Sequence, residues 1–390
     1  MSKIKIIRIS TVSISLNILL KGQLKFLSQF FNVVGISSQG LDLETVTQRE
    51  GINTVAVNME RGISPMQDMV SLFKLYIQFK KQKPLIVHSI TPKAGLLSML
   101  AGKMAGVPIR MHTFTGLVFP TAKGLKQKIL IKTDQLLCWA ATNIYPEGNG
   151  VKNDLINHNI TSKPLNVLAN GNVNGINTDF YSIESTDTCR VAQLKKELMI
   201  SEEDFVFIFV GRLVGDKGIN EVVDAFSQLD KSANSKPCKL LLVGSLESDI
   251  DPLQQKTIKE IETNPNIINV GFQQDVRPYF AISNCLAFPS YREGFPNVVM
   301  QAGAMGLPSI VSNINGCNEI IVEGENGIII PVKNSDSITQ AMNKLMHDKD
   351  YYYKLKKNAR VMIESRYEQQ VVWNAVLREY KSLIAELKEV

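Results

Sequence analysis

Two cations follow a short apolar segment in the second half of the chain. The run Phe205 to Val210 ends in Gly211, and Arg212 and Lys217 come next, just before Gly218. A guanidinium can hold a phosphate through two parallel hydrogen bonds, and an ammonium supplies a point charge. Together they could neutralise a diphosphate, although an arginine and a lysine beside a turn are common on protein surfaces.

A second loop places a carboxylate in front of a predicted helix. The chain leaves an apolar segment at Pro289, passes Glu293 and Gly294, and begins a helical pattern near Asn297. The amides and the positive dipole at a helix N-terminus bind phosphate and sugar oxygens. Gln301, on the same helix, carries an amide that can both donate to and accept from ribose hydroxyls.

These loops require strands whose carboxyl ends meet at one edge of a sheet. Short apolar segments alternate with helical segments along the chain, which predicts an α/β fold with parallel sheets covered on both faces. Such sheets bind ligands beyond the carboxyl ends of their strands. A third loop, Asn313 to Glu319, follows one predicted strand and can close over the same site. The predicted strands are Ile4 to Ile9, Val33 to Ser37, Thr54 to Val57, Leu85 to Ser89, Ile109 to Thr113, Asn143 to Tyr145, Phe205 to Gly211, Leu240 to Gly244, Ile268 to Val270, Cys285 to Pro289, Ser309 to Ser312 and Ile328 to Val332.

The alternation of strands and helices occurs in both halves of the chain, which predicts two Rossmann-like, doubly wound domains. A last strand of the first half is predicted from Leu165 to Gly171, and the Asn- and Gly-rich run 170–175 makes a turn-rich junction. We assign residues 1–173 to an N-terminal domain and residues 174–366 to a C-terminal domain. Residues 367–390 are predicted to form a helix that crosses back to the N-terminal domain.

Charge is unevenly distributed, although the net charge of the chain is only +6. Residues 1–150 contain 18 basic and 7 acidic residues, whereas the remainder contains 25 basic and 30 acidic ones. The basic half indicates either an anionic partner, such as a phospholipid surface or a lipid diphosphate, or charge that keeps helix faces soluble. Nucleic acid is not expected as a partner, because no aromatic platform or known motif accompanies the lysines.

A lysine-rich helix is predicted within Gly124 to Trp139, where lysines alternate with leucines and isoleucines. The pattern is typical either of a helix that lies at a membrane interface or of a helix that packs on the core and exposes its lysines. Lys21, Lys93 and Lys126 are candidate contacts for a lipid diphosphate. The five cysteines form no Cys-x-x-Cys pair, and no apolar run is long enough to span a bilayer, so we expect a cytoplasmic chain with reduced thiols.

Taken together, these motifs resemble the large retaining glycosyltransferase family 4, whose members have the GT-B fold of two Rossmann-like domains facing a central cleft. Two segments of the first half are similar to bacterial members that build capsule, O-antigen or glycoprotein glycans on a polyprenyl diphosphate. The segments that carry the resemblance are Gly211-Arg212, Lys217-Gly218, Glu293-Gly294-Phe295-Pro296, Gly316 with Glu319-Ile320, Gly324 to Pro331, Thr91 to Gly95 and Arg110 to Gly116.

The resemblance implies a role for each matching residue. Arg212 and Lys217 would bind the diphosphate of the donor, and Glu293 would face the transferred sugar. The donor would also be contacted by Gly211, Gly294, Phe295, Pro296, Asn297, Val298 and Gln301.

Two positions depart from the family pattern. The family has Glu-x7-Glu, but the second position here is Gln301, which puts a charge-dependent role there in doubt. Many members place a histidine where this chain has Thr115, and a histidine lies three residues earlier, at His112. Residues three apart on a strand face opposite sides, so we do not expect both at the cleft. The match to the family pattern implies Thr115 at the site, with His112 as the alternative. His88, at the end of a predicted strand, could also reach the cleft or be a core residue.

The reaction that the resemblance implies is transfer of a hexose or N-acetylhexosamine from a nucleoside diphosphate, with uridine diphosphate as the expected carrier, and with retention at the anomeric carbon. The acceptor would be a polyprenyl-diphosphate-linked glycan at the inner face of the cytoplasmic membrane. We expect no cofactor and no metal, and we interpret Asp249-Ile250-Asp251 as a chance match to a metal-binding pattern. The alternatives are a non-catalytic sugar-nucleotide-binding subunit and a GT-B-type epimerase.

Overall fold

A computed structural model describes residues 3–60, 62, 64–230, 236–247 and 251–389. The chain divides into two compact units. Unit 1 comprises Met1–Gly175 together with Gln369–Val390, and unit 2 comprises Ile176–Glu368. The sequence-based domain junctions, after residues 173 and 366, lie two residues before each of these divisions.

Unit 1 is built on a six-stranded parallel sheet in the order β3-β2-β1-β4-β5-β6. The first six predicted strands of this half are present, with ends that differ by at most one residue. The strands are β1 Lys5–Ile9, β2 Asn32–Ser37, β3 Asn53–Ala56, β4 Ile86–Ser89, β5 Ile109–Phe114 and β6 Asn143–Pro146. The prediction of a further strand from Leu165 to Gly171 was wrong, because only Leu165 forms a bridge, to Ile144. Ala169 and Gly171 have φ values of 50° and 95°, which are incompatible with extended backbone.

Helices cover both faces of this sheet. On one face, α4, α5 and α6 enclose a core that includes Ile7, Val87 and Phe114, and on the other α1, α2 and α3 pack over Ile6, Ile86 and Met111. The helices are α1 Ser13–Leu19, α2 Gln23–Ser28, α3 Leu41–Glu50, α4 Pro65–Gln82, α5 Pro92–Ala105, α6 Gly124–Ala140 and α7 Asn149–Asn157.

Unit 2 repeats the arrangement, with a parallel sheet in the order β12-β11-β10-β7-β8-β9. Read from its other edge and renumbered within the unit, this is the strand order of unit 1. The strands are β7 Phe205–Val210, β8 Cys238–Val243, β9 Ile267–Gly271, β10 Cys285–Phe288, β11 Ser309–Ser312 and β12 Gly327–Ile330. The helices are α8 Thr188–Glu197, α9 Ile219–Asp230, α10 Gln255–Thr263, α11 Arg277–Ala281, α12 Asn297–Ala304, α13 Cys317–Ile320, α14 Ser335–His347 and α15 Lys349–Tyr367.

The last helix, α16 Gln369–Glu389, packs on the sheet of unit 1. Its residues Val376, Tyr380 and Ile384 are buried in the same core as Ile6 and Ile86. Apolar residues at helical spacing form this contact face, as the sequence pattern indicates. Among the described residues, no helix combines the length and the apolar character that crossing a bilayer requires.

Candidate active site

Three loops meet at the carboxyl ends of the strands of unit 2, and two glycines permit their close packing. Gly218 has a φ of 73°, and a Cβ there would overlap the carbonyl oxygen of Pro289. Gly316 has a φ of 74°, and a Cβ there would overlap the carbonyl oxygen of Gly294. Only glycine fits both the backbone conformation and the space. The structure therefore brings together the three loops that the sequence analysis singled out.

The centre of this convergence is an ion pair between Lys217 and Glu293. Both side chains are mostly buried, with exposed fractions of 16% and 17%. The fully buried Ser290 donates a hydrogen bond from Oγ to Glu293 Oε1 at 2.9 Å. On the third loop, burial raises the pKa of the Cys317 thiol well above its ordinary value, and the nearby carboxylate of Glu293 raises it further. The glutamate thus sits in a fixed orientation with its charge compensated by an ammonium.

Arg212 lies on the same loop as Lys217 but turns to a different carboxylate. Its Nη1 is 3.1 Å from Oε2 of Glu247, beyond the end of β8. The Arg212 side chain is 48% exposed, so its guanidinium is not enclosed by the protein. The two cations therefore share a loop but are not both directed at Glu293.

The remaining donor candidates lie around the first turn of α12. Pro296 is the residue before the helix, and Asn297 and Val298 begin it. The Phe295 ring is buried in the core, 5.4 Å from the ring of Tyr367, so only its backbone can face a ligand. Gln301 is half-buried on the same helix. Gly211 directly follows β7 and starts the first loop.

The residues that hold the loops in place were not predicted from the sequence. Arg292 Nη2 lies 3.2 Å from Asp216 Oδ2, and the Tyr291 amide donates to the Asp216 carbonyl oxygen at 2.8 Å. The Asp216 amide in turn donates to Asp251 Oδ2 at 2.6 Å. Asp251 therefore anchors the first loop, whereas the other two residues of the Asp-x-Asp pattern lie outside the described residues. Ser290, which donates to Glu293, was also not identified from the sequence.

In unit 1, His112 is sealed inside the protein. It is fully buried, its Nδ1 is 2.8 Å from Ser89 Oγ, and its Nε2 has no hydrogen-bond partner among the described residues. Burial lowers the pKa of His112 to about 3. Thr115, just beyond the end of β5, is half-buried and donates to the Ile90 carbonyl oxygen at 2.8 Å. Of these two alternatives, only Thr115 is placed where a ligand can reach it.

His88 belongs to a buried polar network under α16. Its Nδ1 is 2.7 Å from the hydroxyl of Tyr380 and its Nε2 is 2.8 Å from Oγ1 of Thr113. Arg8 Nη1 donates to Tyr380 at 3.0 Å and to Gln23 Oε1 at 2.8 Å. Burial lowers the pKa of His88 well below its ordinary value, and the positive charge of Arg8 lowers it further. His88 is therefore a neutral core residue, which is one of the two readings its sequence position allowed.

The three lysines proposed for a lipid diphosphate do not form one cluster. Lys93, at the start of α5, is ion-paired with Asp68 at 2.7 Å, and Lys126 is exposed in the first turn of α6. Lys21 lies between α1 and α2, on the opposite face of the sheet, where the adjacent Gly22 packs against Trp373. A metal site is not evident either, because no group of three His, Cys, Asp or Glu side chains among the described residues is arranged to bind an ion.

Comparisons with known proteins agree with this architecture. A family model described as glycosyl transferases group 1 matches residues 191–362, and one described as glycosyl transferase 4-like matches residues 9–147. The chain is 30% identical to the capsular polysaccharide biosynthesis glycosyltransferase CapM of Staphylococcus aureus, over 98% of each protein. It is 26% identical to an Escherichia coli UDP-Gal:alpha-D-GlcNAc-diphosphoundecaprenol alpha-1,3-galactosyltransferase, over 74% of this chain and 73% of that one.

A solved structure supports the fold. The crystal structure of Anabaena Alr3699/HepE in complex with UDP and glucose superposes with a TM-score of 0.80, at 16% identity, covering 97% of this chain and 100% of that one. At this identity the likeness concerns the fold alone. Because one glycosyltransferase is 30% identical over nearly the full chain, and both family models match in order, the protein belongs to glycosyltransferase family 4, with the GT-B fold.

Proposed function

We propose that this glycosyltransferase moves a hexose or N-acetylhexosamine from a uridine-diphosphate sugar to a polyprenyl-diphosphate-linked glycan during synthesis of a surface polysaccharide. The names of two relatives support the proposal. One is a capsular polysaccharide enzyme, and the other uses UDP-Gal and a diphosphoundecaprenol acceptor. The acceptor would place the reaction at the inner face of the cytoplasmic membrane.

The observation that carries the proposal is the Lys217–Glu293 ion pair at the N-terminal end of α12. Sugar transfer develops positive charge at the anomeric carbon and negative charge on the departing diphosphate. When a donor binds, the Lys217 ammonium would move from Glu293 to the diphosphate, and the exposed Arg212 would turn to the same group. Charges positioned in this way stabilise the leaving group as it forms.

Glu293 is then released to act on the sugar. Its carboxylate stays oriented by the hydrogen bond from Ser290, so it can accept hydrogen bonds from sugar hydroxyls without reorganising. Gln301 on α12 would contact the ribose, because its amide can donate and accept. In unit 1, Thr115 would lie at the acceptor side of the reaction.

We further propose that the transfer retains the anomeric configuration and requires no metal ion. The two cations and the dipole of α12 together supply positive charge comparable to that of a bound divalent cation. Among the described residues no acidic cluster competes for that role. If the reaction needs no metal ion, its rate is unchanged in excess EDTA. If it depends on a bound metal ion, excess EDTA lowers the rate.

The test is a donor screen with a synthetic polyprenyl-diphosphate-linked sugar as acceptor. UDP release is measured for each UDP-hexose and UDP-N-acetylhexosamine, and the product linkage is assigned by NMR through its anomeric coupling constant. Glu293→Gln should abolish release, whereas Glu202→Gln, at a glutamate of the same unit whose side chain is 86% exposed, should not change it. Tight donor binding without turnover in the native protein would instead support a non-catalytic subunit.

A further inference from the structure

Helix α4 presents large apolar side chains to solvent on the face opposite to its core contacts. Ser71, Leu75 and Phe79 are its buried residues. The exposed residues lie on the other side, within an arc of about 100° at 3.6 residues per turn. We call them the α4 stripe: Met66, Met69, Val70, Phe73 and Ile77, with exposed fractions from 45% to 86%. Core packing does not account for them.

Helix α6 has a second exposed apolar stripe. Its members are Leu125, Ile129, Leu136 and Trp139, with exposed fractions from 44% to 74%. Helix α5 packs against both α4 and α6, and all three contribute to the core on the same face of the sheet. The α4 stripe and the α6 stripe therefore belong to one side of unit 1.

Positive charge accompanies both stripes. Lys74, Lys80 and Lys81 are exposed on α4, and Lys126, Lys128 and Lys132 are exposed on α6. Lys103, on α5, places its Nζ 4.2 Å from the centre of the Trp139 ring. The single acidic residue of α4, Asp68, is already ion-paired with Lys93. An aromatic ring, aliphatic side chains and flanking lysines are the combination that binds the boundary between headgroups and acyl chains.

We propose that the α4 and α6 stripes form the surface by which unit 1 docks on a bilayer that contains anionic lipids. The apolar side chains enter the headgroup boundary, and the lysines contact lipid phosphates. A second copy of the chain fits less well, because a two-fold contact would bring identical lysine rows face to face. The inference rests on the proposed function in one respect: an enzyme whose acceptor is anchored in the membrane has to reach the membrane surface.

The first test measures binding of the full chain to vesicles by flotation. The probes are vesicles of phosphatidylcholine alone and vesicles with two parts in five phosphatidylglycerol. We expect the native chain to bind the anionic vesicles and the variant Met69→Ser/Phe73→Ser/Ile77→Ser to bind them at least about tenfold more weakly. The matched control is Leu41→Ser, an 83% exposed leucine on α3, which should bind as the native chain does.

The second test removes charge and leaves the apolar residues. Lys74→Gln/Lys80→Gln/Lys81→Gln should weaken binding to anionic vesicles, by up to about fivefold for each lysine, and should flatten its salt dependence. Lys349→Gln/Lys356→Gln/Lys357→Gln makes the same charge change on α15 in unit 2 and should leave binding unchanged. Circular dichroism confirms that each variant is folded.

Three outcomes would overturn the proposal: no binding of the native chain to anionic vesicles, equal binding by the α4 variant, or a dimer in sedimentation velocity that the α4 variant abolishes. Failure here is separable from failure of the proposed function. Transfer to a short-chain, water-soluble prenyl-diphosphate-linked sugar needs no bilayer, and the α4 variant should catalyse it at the native rate. Loss of vesicle binding with intact transfer supports both proposals.

Discussion

The two units share one strand order but carry different chemistry on the matching strands and the loops that follow them. In unit 2, the loops after β7 and β10 join Lys217 and Glu293 near the surface. In unit 1, the equivalent strands β1 and β4 carry Arg8 and His88, which are 1% and 2% exposed. The same topology therefore holds a charged pair that a ligand can reach in one unit and a sealed polar network in the other.

The difference lies in what covers these residues. In unit 1, α16 contributes Tyr380 to the network, and its hydroxyl bonds both Arg8 Nη1 and His88 Nδ1, whereas Arg8 Nε has no hydrogen-bond partner among the described residues. A cavity of about 20 Å³ beside Arg8 and His88 leaves room for no more than a water molecule. In unit 2, short glycine-bearing loops occupy the corresponding place, and their side chains stay within reach of solvent. Topology thus sets where a ligand site can form, and the covering element decides whether it does.

The largest expected effect tests whether unit 2 carries the chemistry. Lys217→Ala should lower kcat/KM for sugar transfer by about 10³-fold, because it removes a preorganised charge from the leaving group. Lys256→Ala, at a lysine of the same unit that is 65% exposed, is the matched control and should stay within twofold of the native rate. A loss of less than tenfold in Lys217→Ala would remove the contrast between the two units.

The second prediction tests whether the network of unit 1 is structural. Tyr380→Phe leaves Arg8 and His88 without one buried partner each, so the free energy of unfolding should fall by about 2 to 3 kcal/mol. Both tryptophans, Trp139 and Trp373, lie in unit 1, so urea denaturation followed by fluorescence reports this unit. Tyr353→Phe, at a 61% exposed tyrosine, should leave stability unchanged.

Much of this comparison is predictable from the sequence, since apolar segments locate every strand of both sheets within two residues. The approach of Lys217 to Glu293 also follows from the motif order, because loops after neighbouring parallel strands share an edge. The partner of Arg212 was not predictable. Glu247 lies on a different loop, and the spacing of residues along the chain does not predict which carboxylate will pair with a flexible guanidinium.

The α4 stripe shows a second limit of sequence reasoning. Met66, Phe73 and Ile77 recur at the spacing that normally marks a core-facing helix, yet they are exposed. Leu75 and Phe79 supply the buried face of the same helix, so apolar residues lie on both sides. Periodicity alone cannot identify which face meets the sheet. Only the packing of α4 against α5 decides it.

The third prediction tests the close packing of the loops in unit 2. Gly218 and Gly324 both have a positive φ, of 73° and 72°, but only a Cβ at Gly218 would overlap backbone, at Pro289. Gly324→Ala should cost about 1 kcal/mol from the left-handed conformation alone. Gly218→Ala should cost about 2 kcal/mol more and should also weaken donor binding, because the first loop is forced away from the second. Equal costs in denaturation followed by circular dichroism would contradict the close packing of the loops.

The smallest effect concerns titration in unit 1, where the pKa values of two buried histidines and of the half-buried Asp134 shift in opposite senses. Burial lowers the pKa of His112 to about 3 and that of His88 well below 6.5. Below pH 6.5 these histidines bind protons in the unfolded chain but stay neutral in the folded one. Their contribution to the free energy of unfolding is therefore full above pH 6.5 and is lost as the pH falls. Burial raises the pKa of Asp134 to about 7 from 3.8. The contribution of Asp134 to the free energy of unfolding is full below pH 3.8 and is lost as the pH rises towards 7. Between pH 6.5 and 4, acidification therefore increases the contribution of Asp134 while it decreases that of the histidines.

Asp134→Asn removes that opposition. Acidification from pH 6.5 to 4.5 should then destabilise unit 1 more steeply than in the native chain, by up to about 1.4 kcal/mol per pH unit, the value for one proton. The measurement is urea denaturation followed by tryptophan fluorescence at several pH values. Glu44→Gln, at an exposed carboxylate of unit 1, should keep the native slope. An unchanged slope in Asp134→Asn would mean that this carboxyl is ionised in the folded protein, and the histidines alone would then set the acid sensitivity of unit 1.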